Sequence, residues 1–234
     1  MKKTLKNTDI ILGKNEGGNV VVDIKQNPHI LIVGDTATGK TKLSRSIIKQ
    51  MEDNEMCIKI ISVEDGKLYV KNKNLDEEST FTDLKTIREI LESVIMVNNE
   101  VVERLRNEKV RDIEEYNAKH PYKKIKRMGI LIDNLDSILV EDIEETLEMK
   151  EKESLRIKLG TAPTLIKESE KIAMCLSNLT RLSRIAGVNM IYVNQSEKNI
   201  PRDILNSISV KIKTNPDGKN SLNLGDKTVE FKAE

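Results

Sequence analysis

The sequence contains little of what several protein classes depend on. Its 234 residues include no tryptophan, four tyrosines and two phenylalanines, so a platform of aromatic rings for single-stranded nucleic acid is not expected. The two cysteines, Cys57 and Cys175, have no CxxC neighbour and stand among apolar residues. This setting favours reduced core thiols over a disulfide or a zinc site.

Long apolar runs and an excess of one charge are also missing. No stretch approaches the roughly 18 apolar residues of a membrane-spanning helix, and the N-terminus lacks the apolar segment of a signal peptide. We therefore predict a cytoplasmic protein without direct membrane insertion. The net charge is +1, so binding of a polyanion needs a local basic patch or an assembly. One basic run is Lys123, Lys124, Lys126 and Arg127; it either contacts phosphates or is simply solvated.

The most informative segment is Gly34-Asp35-Thr36-Ala37-Thr38-Gly39-Lys40-Thr41, which fits the pattern G-x-x-x-x-G-K-[ST]. An apolar run precedes it and a helix-like segment follows. In that setting the glycines let the backbone approach phosphate closely. Lys40 would then reach the β- and γ-phosphates, and the Thr41 hydroxyl would bind Mg²⁺. We predict that this loop binds ATP with Mg²⁺, because an ordinary strand-to-helix turn does not explain why Lys40 and Thr41 stand there.

Strands alternate with helices along the rest of the chain. Strands are predicted near 29–33, 58–63, 129–132, 188–193 and 208–212, and helices over 83–107, 141–157, 165–186 and a short stretch after Pro201. This alternation predicts an α/β fold with a mostly parallel sheet and helices on both faces. We expect one domain, with an N-terminal hairpin in 1–27, a nucleotide-binding core in 28–214 and a C-terminal tail in 215–234.

Polar residues at two strand ends are candidates for the catalytic site. Asp133 closes an apolar strand, where P-loop ATPases need a carboxylate on the Mg²⁺ side. The next residue is Asn134, where many such enzymes have a glutamate; an amide cannot accept a proton from water, so slow hydrolysis is expected. Substitute bases could be Glu64, Asp65 or Asp136, each of which could equally be a solvated carboxylate.

Three further residues could complete a site. Gln195 follows the strand near 188–193 and is either a sensor of the γ-phosphate or a surface amide. Arg181 and Arg184 are predicted near the end of the helix over 165–186. An arginine there either interacts with the helix dipole or reaches the nucleotide of a neighbouring subunit.

Several segments besides the nucleotide loop repeat one family's pattern. They are Leu12-Gly13-Lys14, Val20-Val21-Val22-Asp23 and Asn27-Pro28-His29 before the loop; Arg104-Leu105, Val110-Arg111-Asp112-Ile113 and Tyr116-Asn117 before the Asp133 strand; and Arg184-Ile185-Ala186-Gly187-Val188-Asn189 through Asn194-Gln195. In this order, over nearly the whole chain, they resemble the motor core of FtsK/SpoIIIE-type DNA translocases, within the FtsK–HerA group.

The resemblance implies a RecA-like P-loop NTPase that couples ATP hydrolysis to movement of double-stranded DNA, in a plasmid, conjugative element or phage. It implies a homo-oligomeric ring such as a hexamer, with a membrane-anchored or loading partner. It also implies roles for single residues. Lys40 and Thr41 bind phosphate and Mg²⁺, Asp133 is the second acidic site, Gln195 is the sensor, and Arg184 reaches the neighbour's ATP.

Three departures from the family pattern keep other functions open. Asn134 replaces the expected glutamate, Ser196 stands where an arginine follows the sensor glutamine, and a charged insertion occupies about 141–162. We also expect a minimal motor core without an anchor or a DNA-reading domain. One alternative is a slow or non-hydrolysing ATP-binding assembly or regulatory module. Another is a secretion-type motor that acts on protein.

Overall fold

An 11-stranded sheet is the frame of the structure. The computed structural model describes residues 6–64, 67–72, 77–81, 84–140 and 167–233. In chain order the strands are β1 (Asp9–Asn15), β2 (Gly18–Asp23), β3 (Ile30–Val33), β4 (Cys57–Glu64), β5 (Lys67–Asn72), β6 (Glu77–Phe81), β7 (Met128–Asp133), β8 (Val188–Asn194), β9 (Val210–Lys213), β10 (Lys219–Leu224) and β11 (Lys227–Lys232). Their order across the sheet is β2-β1-β11-β10-β9-β3-β8-β7-β4-β5-β6.

The central strands β9, β3, β8, β7 and β4 are all parallel. Strands of this kind are covered on both faces and are therefore apolar throughout; β8 is buried at every position. This centre confirms the predicted α/β fold. Because the strands are parallel, their carboxyl ends lie at one edge of the sheet, where ligands bind in such folds.

Antiparallel strands extend the sheet on both sides. The hairpin of β1 and β2 and the hairpin of β10 and β11 form one wing, next to β9. Strands β5 and β6 form the other wing, next to β4, and the sequence analysis did not predict them. A side chain of α1 ties the first wing to the rest of the fold: Gln50 accepts a hydrogen bond from the Ile11 N–H and donates one to the Ile11 carbonyl oxygen, both at 2.8 Å.

Helices cover both faces of the sheet. Helix α1 (Lys40–Asp53) packs with the β1–β2 hairpin on one face. On the other face lie α2 (Leu84–Asn107), α4 (Leu135–Val140), α5 (Glu168–Leu182) and α6 (Arg202–Ser207). Arg88 of α2 ties α2 to α5 by donating to Glu168 at 2.6 Å. No helix in the described ranges has the length and apolarity needed to cross a membrane.

Two of the helices differ from the predicted elements. The short helix α3 (Ile113–Lys119) was not predicted; the Asp112 carboxylate caps it by accepting from the Glu115 N–H at 2.9 Å. The predicted helix over 141–157 and the charged insertion lie outside the described residues. Helix α5 ends at Leu182, with Ser183 as its C-cap, and not at Gly187 as predicted.

Both cysteines are free, as predicted. Cys175 is buried under α2, and burial raises the pKa of its thiol. A thiol held in its protonated form is a weak nucleophile and a poor metal ligand, so Cys175 acts as an apolar core residue.

Candidate active site

The predicted phosphate loop joins β3 to α1 at the carboxyl edge of the sheet. Its first glycine has no room for a side chain. A Cβ on Gly34 would lie 2.2 Å from Thr214 Oγ1 and 2.8 Å from Thr38 Oγ1. Gly39 has the opposite setting, a left-handed φ of 92° with open space around it. A ligand can therefore approach the backbone at Gly39, while Gly34 lets the loop close against β9.

Thr214 closes the loop from the neighbouring strand, and the sequence analysis missed it. Its N–H donates to the Val33 carbonyl at 2.8 Å, and its hydroxyl lies 2.7 Å from the Thr38 hydroxyl. Thr38 in turn donates to the Asp35 carbonyl at 2.8 Å. Both threonines are buried. No local pattern in the sequence marks Thr214, because only the pairing of β9 with β3 brings it to the loop.

The Lys40 ammonium group lies over the mouth of the loop. It donates to the carbonyl oxygens of Gly34 at 2.6 Å and Asp35 at 2.7 Å. Helix α1 begins at Lys40, and no side chain caps its N-terminus. The first N–H groups of a helix carry partial positive charge, and an anion satisfies them well. A lysine and an uncapped helix N-terminus therefore meet at one point, which suits a phosphate group.

Thr41 and Asp133 line the same cleft, of ≈ 710 Å³, on the β4 side of α1. Asp133 ends β7 and is paired across the sheet with Ser62 of β4, which also lines the cleft. Thr41 is exposed and Asp133 half-buried. A hydroxyl and a carboxylate are the oxygen donors that Mg²⁺ prefers in phosphate sites. The two residues predicted to bind the metal therefore share one cleft and fit that ion chemically.

Asn134 has a backbone conformation that few residues adopt. Its φ is 62°, and its N–H donates to the Val193 carbonyl at 3.0 Å. Asparagine tolerates this left-handed region far better than glutamate does. The left-handed backbone thus explains why asparagine suits this position. The slow hydrolysis predicted from the sequence is a separate consequence of the same residue.

The three candidate substitute bases are placed differently. Asp65 lies outside the described residues, and Glu64 is the last residue of β4, two positions beyond the level of Asp133. Asp136 lies in the first turn of α4, and its Oδ1 atom is buried without a hydrogen-bond partner among the described residues. A buried carboxylate oxygen that lacks a partner is costly. Of the candidates, Asp136 therefore has a carboxylate oxygen, Oδ1, that can still accept a hydrogen bond.

Asn194 connects β8 to α4, and the sequence analysis did not single it out. Its amide oxygen accepts from the Asp136 N–H at 3.1 Å, and its amide nitrogen donates to the Ser196 carbonyl at 2.7 Å. The side chain is 1% exposed. The predicted sensor, Gln195, is exposed and stands between Asn194 and Ser196 in the chain. Asn194 therefore links the backbone around Gln195 to the Asp133–Asp136 segment.

Arg184 lies at the opposite edge of the sheet from Lys40. It is exposed in the turn between α5 and β8, just before the amino end of a parallel strand. Within the described ranges it has no ion-pair partner. Arg181 differs, because it is one of the groups that lower the pKa of Asp203, after the Ser177 hydroxyl that hydrogen-bonds to that carboxylate.

The basic run before β7 is not uniform. Lys123, Lys124 and Lys126 are exposed. Arg127 was predicted to be a solvated or phosphate-binding residue, and this is wrong: its side chain is 9% exposed and pairs with Glu114 at 2.5 Å. It also donates to the Asn189 amide oxygen at 3.2 Å. Arg127 is a structural residue that joins α3 to β8.

Comparison with known proteins supports the same interpretation. The model of the FtsK/SpoIIIE family matches residues 2–212. Over 144 residues, 58% of this chain, the sequence is 28% identical to the DNA translocase FtsK of Caldanaerobacter subterraneus subsp. tengcongensis, of which the match covers 20%. The chain thus aligns with only a small part of that relative.

Two solved structures share the fold. The pCW3 conjugation coupling protein TcpA, in its monomer form with ATPγS, superposes with a TM-score of 0.74 at 21% identity, over 97% of this chain and 66% of that one. The cytoplasmic domain of the type VII secretion ATPase EccC of Thermomonospora curvata gives 0.67 at 16% identity, over 97% of this chain and 28% of that one. At these identities the likeness concerns the fold alone.

Proposed function

The chain belongs to the FtsK/SpoIIIE family, and on that premise we propose that it is an ATP-hydrolysing motor core that moves double-stranded DNA. The observation that carries the proposal is the joint placement of Lys40, Thr41 and Asp133 at the carboxyl edge of the parallel sheet. A relative named as a DNA translocase favours DNA as the cargo.

In the proposed reaction, water attacks the γ-phosphorus of ATP, the bond from that phosphorus to the β,γ-bridging oxygen breaks, and ADP leaves. Lys40 exchanges its two loop carbonyl contacts for the β- and γ-phosphates, and the uncapped N-terminus of α1 binds the phosphate oxygens. Thr41 and Asp133 hold Mg²⁺, which when bound neutralises charge on the phosphates. Asp136 is the acceptor we assign to the proton of the attacking water, because it stands three residues after Asp133 in the first turn of α4. Its Oδ1 is buried without a partner among the described residues, so this role requires α4 to expose it when ATP binds.

The neighbouring subunit completes the site in this proposal. Arg184 is too far from its own nucleotide, since β8 alone separates the two sheet edges by about 20 Å. It is exposed and has no local partner among the described residues, so it is available to another copy. Arginine placed on the transferred phosphate stabilises the charge that develops there. Gln195 senses the γ-phosphate, and the two hydrogen bonds of Asn194 transmit a movement of Gln195 to α4.

Two alternatives rest on particular observations. Asn134 supplies no base, which favours a slow or non-hydrolysing ATP-binding module. The similarity of fold to a secretion ATPase is compatible with a motor that acts on protein. The test is ATP turnover measured with and without double-stranded DNA. Stimulation by DNA supports the main proposal, turnover near zero supports the module, and brisk turnover that ignores DNA supports a protein cargo.

We expect DNA binding to be indifferent to sequence and to weaken steeply with salt. Contacts limited to phosphates release counterions, so the logarithm of the affinity should fall by about 0.9 per phosphate contact for each tenfold rise in salt. Fluorescence anisotropy with two unrelated duplexes, in the presence of ATP, measures both properties. A strong preference for one sequence at physiological salt would contradict this expectation.

Replacing Asn134 with glutamate should raise ATP turnover. The new carboxylate can take the proton of the attacking water, a form of help typically worth about 10²–10⁴ in rate. Its left-handed backbone should cost about 1 kcal/mol of stability. Asn134→Gln is the matched control, because it has the same size and the same strain but no base. Turnover is measured at saturating ATP for both variants.

The gain depends on whether Asp136 already acts as the base. If it does, Asn134→Glu should add little, and Asp136→Asn should remove most of the wild-type rate. If Asn134→Glu binds ATP and DNA normally and is no faster, while the wild type is already brisk, the missing glutamate is not a defect. The slow-module alternative would then lose its main support.

A further inference from the structure

The loop between α3 and β7 exposes an aromatic ring among lysines. Tyr122 is 99% exposed, and Lys123, Lys124 and Lys126 are exposed beside it. Tyr116 and Tyr192, by contrast, are buried. An aromatic side chain has a large apolar surface and usually gains free energy from burial or from a partner. Tyr122 is the most exposed large hydrophobic side chain among the described residues, so its ring is available to a partner. We call residues 120–126 the lysine loop.

The lysine loop is held in one conformation. The Asn117 side chain donates to the Ile125 carbonyl at 2.9 Å and accepts from the Ile125 N–H at 2.7 Å. Ile125 packs on the small core formed by the end of α2 and by α3. The Lys123 N–H closes a turn by donating to the His120 carbonyl at 3.0 Å. A loop fixed at both ends presents its side chains at a small entropic cost on binding.

The positive charge of the lysine loop is not neutralised locally. Among the described residues, the ammonium groups of Lys123, Lys124 and Lys126 have no ion pair. Three acidic side chains that precede the loop pair with other cations: Asp112 with Lys25, Glu114 with Arg127 and Glu115 with Arg111. The loop thus combines three free positive charges with one exposed ring, on a chain whose net charge is only +1.

We infer that the lysine loop is a DNA-contacting site at the sheet edge opposite the nucleotide, with the lysines on phosphates of double-stranded DNA and the Tyr122 ring against the sugar-phosphate backbone. This inference rests on the proposed function. Strand β7 runs from the loop to Asp133, a span of about 20 Å. At that distance the lysine loop would guide DNA without bringing it to the γ-phosphate of ATP.

The test uses the full chain and a short mixed-sequence duplex, with anisotropy measured between about 50 and 200 mM salt. The variant Lys123→Gln, Lys124→Gln, Lys126→Gln should reduce the slope of log affinity against log salt by about 2 to 3, one phosphate contact per lysine. Tyr122→Ala should lower the affinity about tenfold, the order expected when burial of a large side chain against the backbone is lost, and leave the slope unchanged. Turnover without DNA should stay at the wild-type level in both variants.

A matched control removes three other exposed lysines. Lys14, Lys232 and Lys219 lie in register on β1, β11 and β10, at the other edge of the sheet. Changing these three to glutamine removes the same charge and should leave the slope as in the wild type. Equal loss of slope in the two triple variants would overturn the lysine loop as a specific contact, while the proposed DNA motor would stand.

Other results would overturn the inference for different reasons. A wild type that turns over ATP but does not bind the duplex would overturn both the loop and the DNA cargo. Loss of binding to vesicles of anionic phospholipid in the triple variant, with DNA binding intact, would assign the loop to a membrane surface. A changed sedimentation coefficient, with DNA binding intact, would assign it to contact between copies of the chain.

Discussion

Replacing Lys40 with alanine should abolish detectable ATP binding and leave the fold intact. The ammonium group donates to the carbonyl oxygens of Gly34 and Asp35 at the mouth of the loop, where it can turn to the phosphates proposed to bind there. Removing one partner of a close charge pair typically costs about 3 kcal/mol or more, at least a hundredfold in affinity. The side chain is half-exposed, and water can replace it at the Asp35 carbonyl. Little stability should therefore be lost.

Calorimetric titration with ATP and Mg²⁺ measures the affinity, and thermal unfolding checks the fold. Lys42→Ala is the matched control, since Lys42 is an exposed lysine of α1 two residues further on. It should bind ATP like the wild type. If Lys40→Ala binds ATP as tightly as Lys42→Ala does, the assignment of residues 34–41 as the phosphate loop is wrong.

The sequence was sufficient for the parts of the site that local patterns determine. The spacing from Gly34 to Thr41 predicted the loop, and the apolar run before Asp133 predicted the strand that brings this carboxylate to the same edge. Both predictions need only a parallel sheet, whose strands all end at one edge. The fold implied by the family resemblance is the fold of the chain.

Contacts between residues distant in the chain could not be predicted in this way. Thr214 meets Thr38 across 176 positions, and only the pairing of β9 with β3 brings them together. Asn194 caps α4 at a distance of 58 positions. The conformation of Asn134 is also invisible in the sequence, because asparagine occurs in many backbone states. Long-range pairing and backbone dihedral angles decide these features.

The residue at which helix α5 ends determines which role Arg184 can have. The apolar stripe of α5 predicted a helix to residue 186, which would place Arg184 inside its last turn and in reach of the helix dipole. In the structure the helix ends at Leu182. Arg184 lies beyond it, in a turn that Gly187 closes with a φ of 77°. The dipole interpretation therefore weakens, and an intermolecular role becomes the better hypothesis.

Arg184→Ala should lower ATP turnover by about 10³ or more while ATP affinity stays at the wild-type level. An arginine supplied to the transferred phosphate is typically worth 10³–10⁵ in rate, roughly the range expected here. The phosphate loop of the same subunit lies at the other sheet edge, so its affinity for ATP should not change. Arg181→Ala is the matched control, because Arg181 is an exposed arginine one turn earlier with Asp203 beside it.

Mixing two inactive variants decides whether Arg184 acts between subunits. Lys40→Ala subunits cannot bind ATP but carry Arg184, and Arg184→Ala subunits bind ATP but lack the arginine. In an equal mixture, about a quarter of head-to-tail contacts should pair an intact loop with an intact arginine. Turnover should therefore return in the mixture, although neither variant is active alone. If the mixture stays inactive while sedimentation shows mixed assemblies, or if the wild-type rate per subunit is constant on dilution to monomer, Arg184 does not act on a neighbour's ATP.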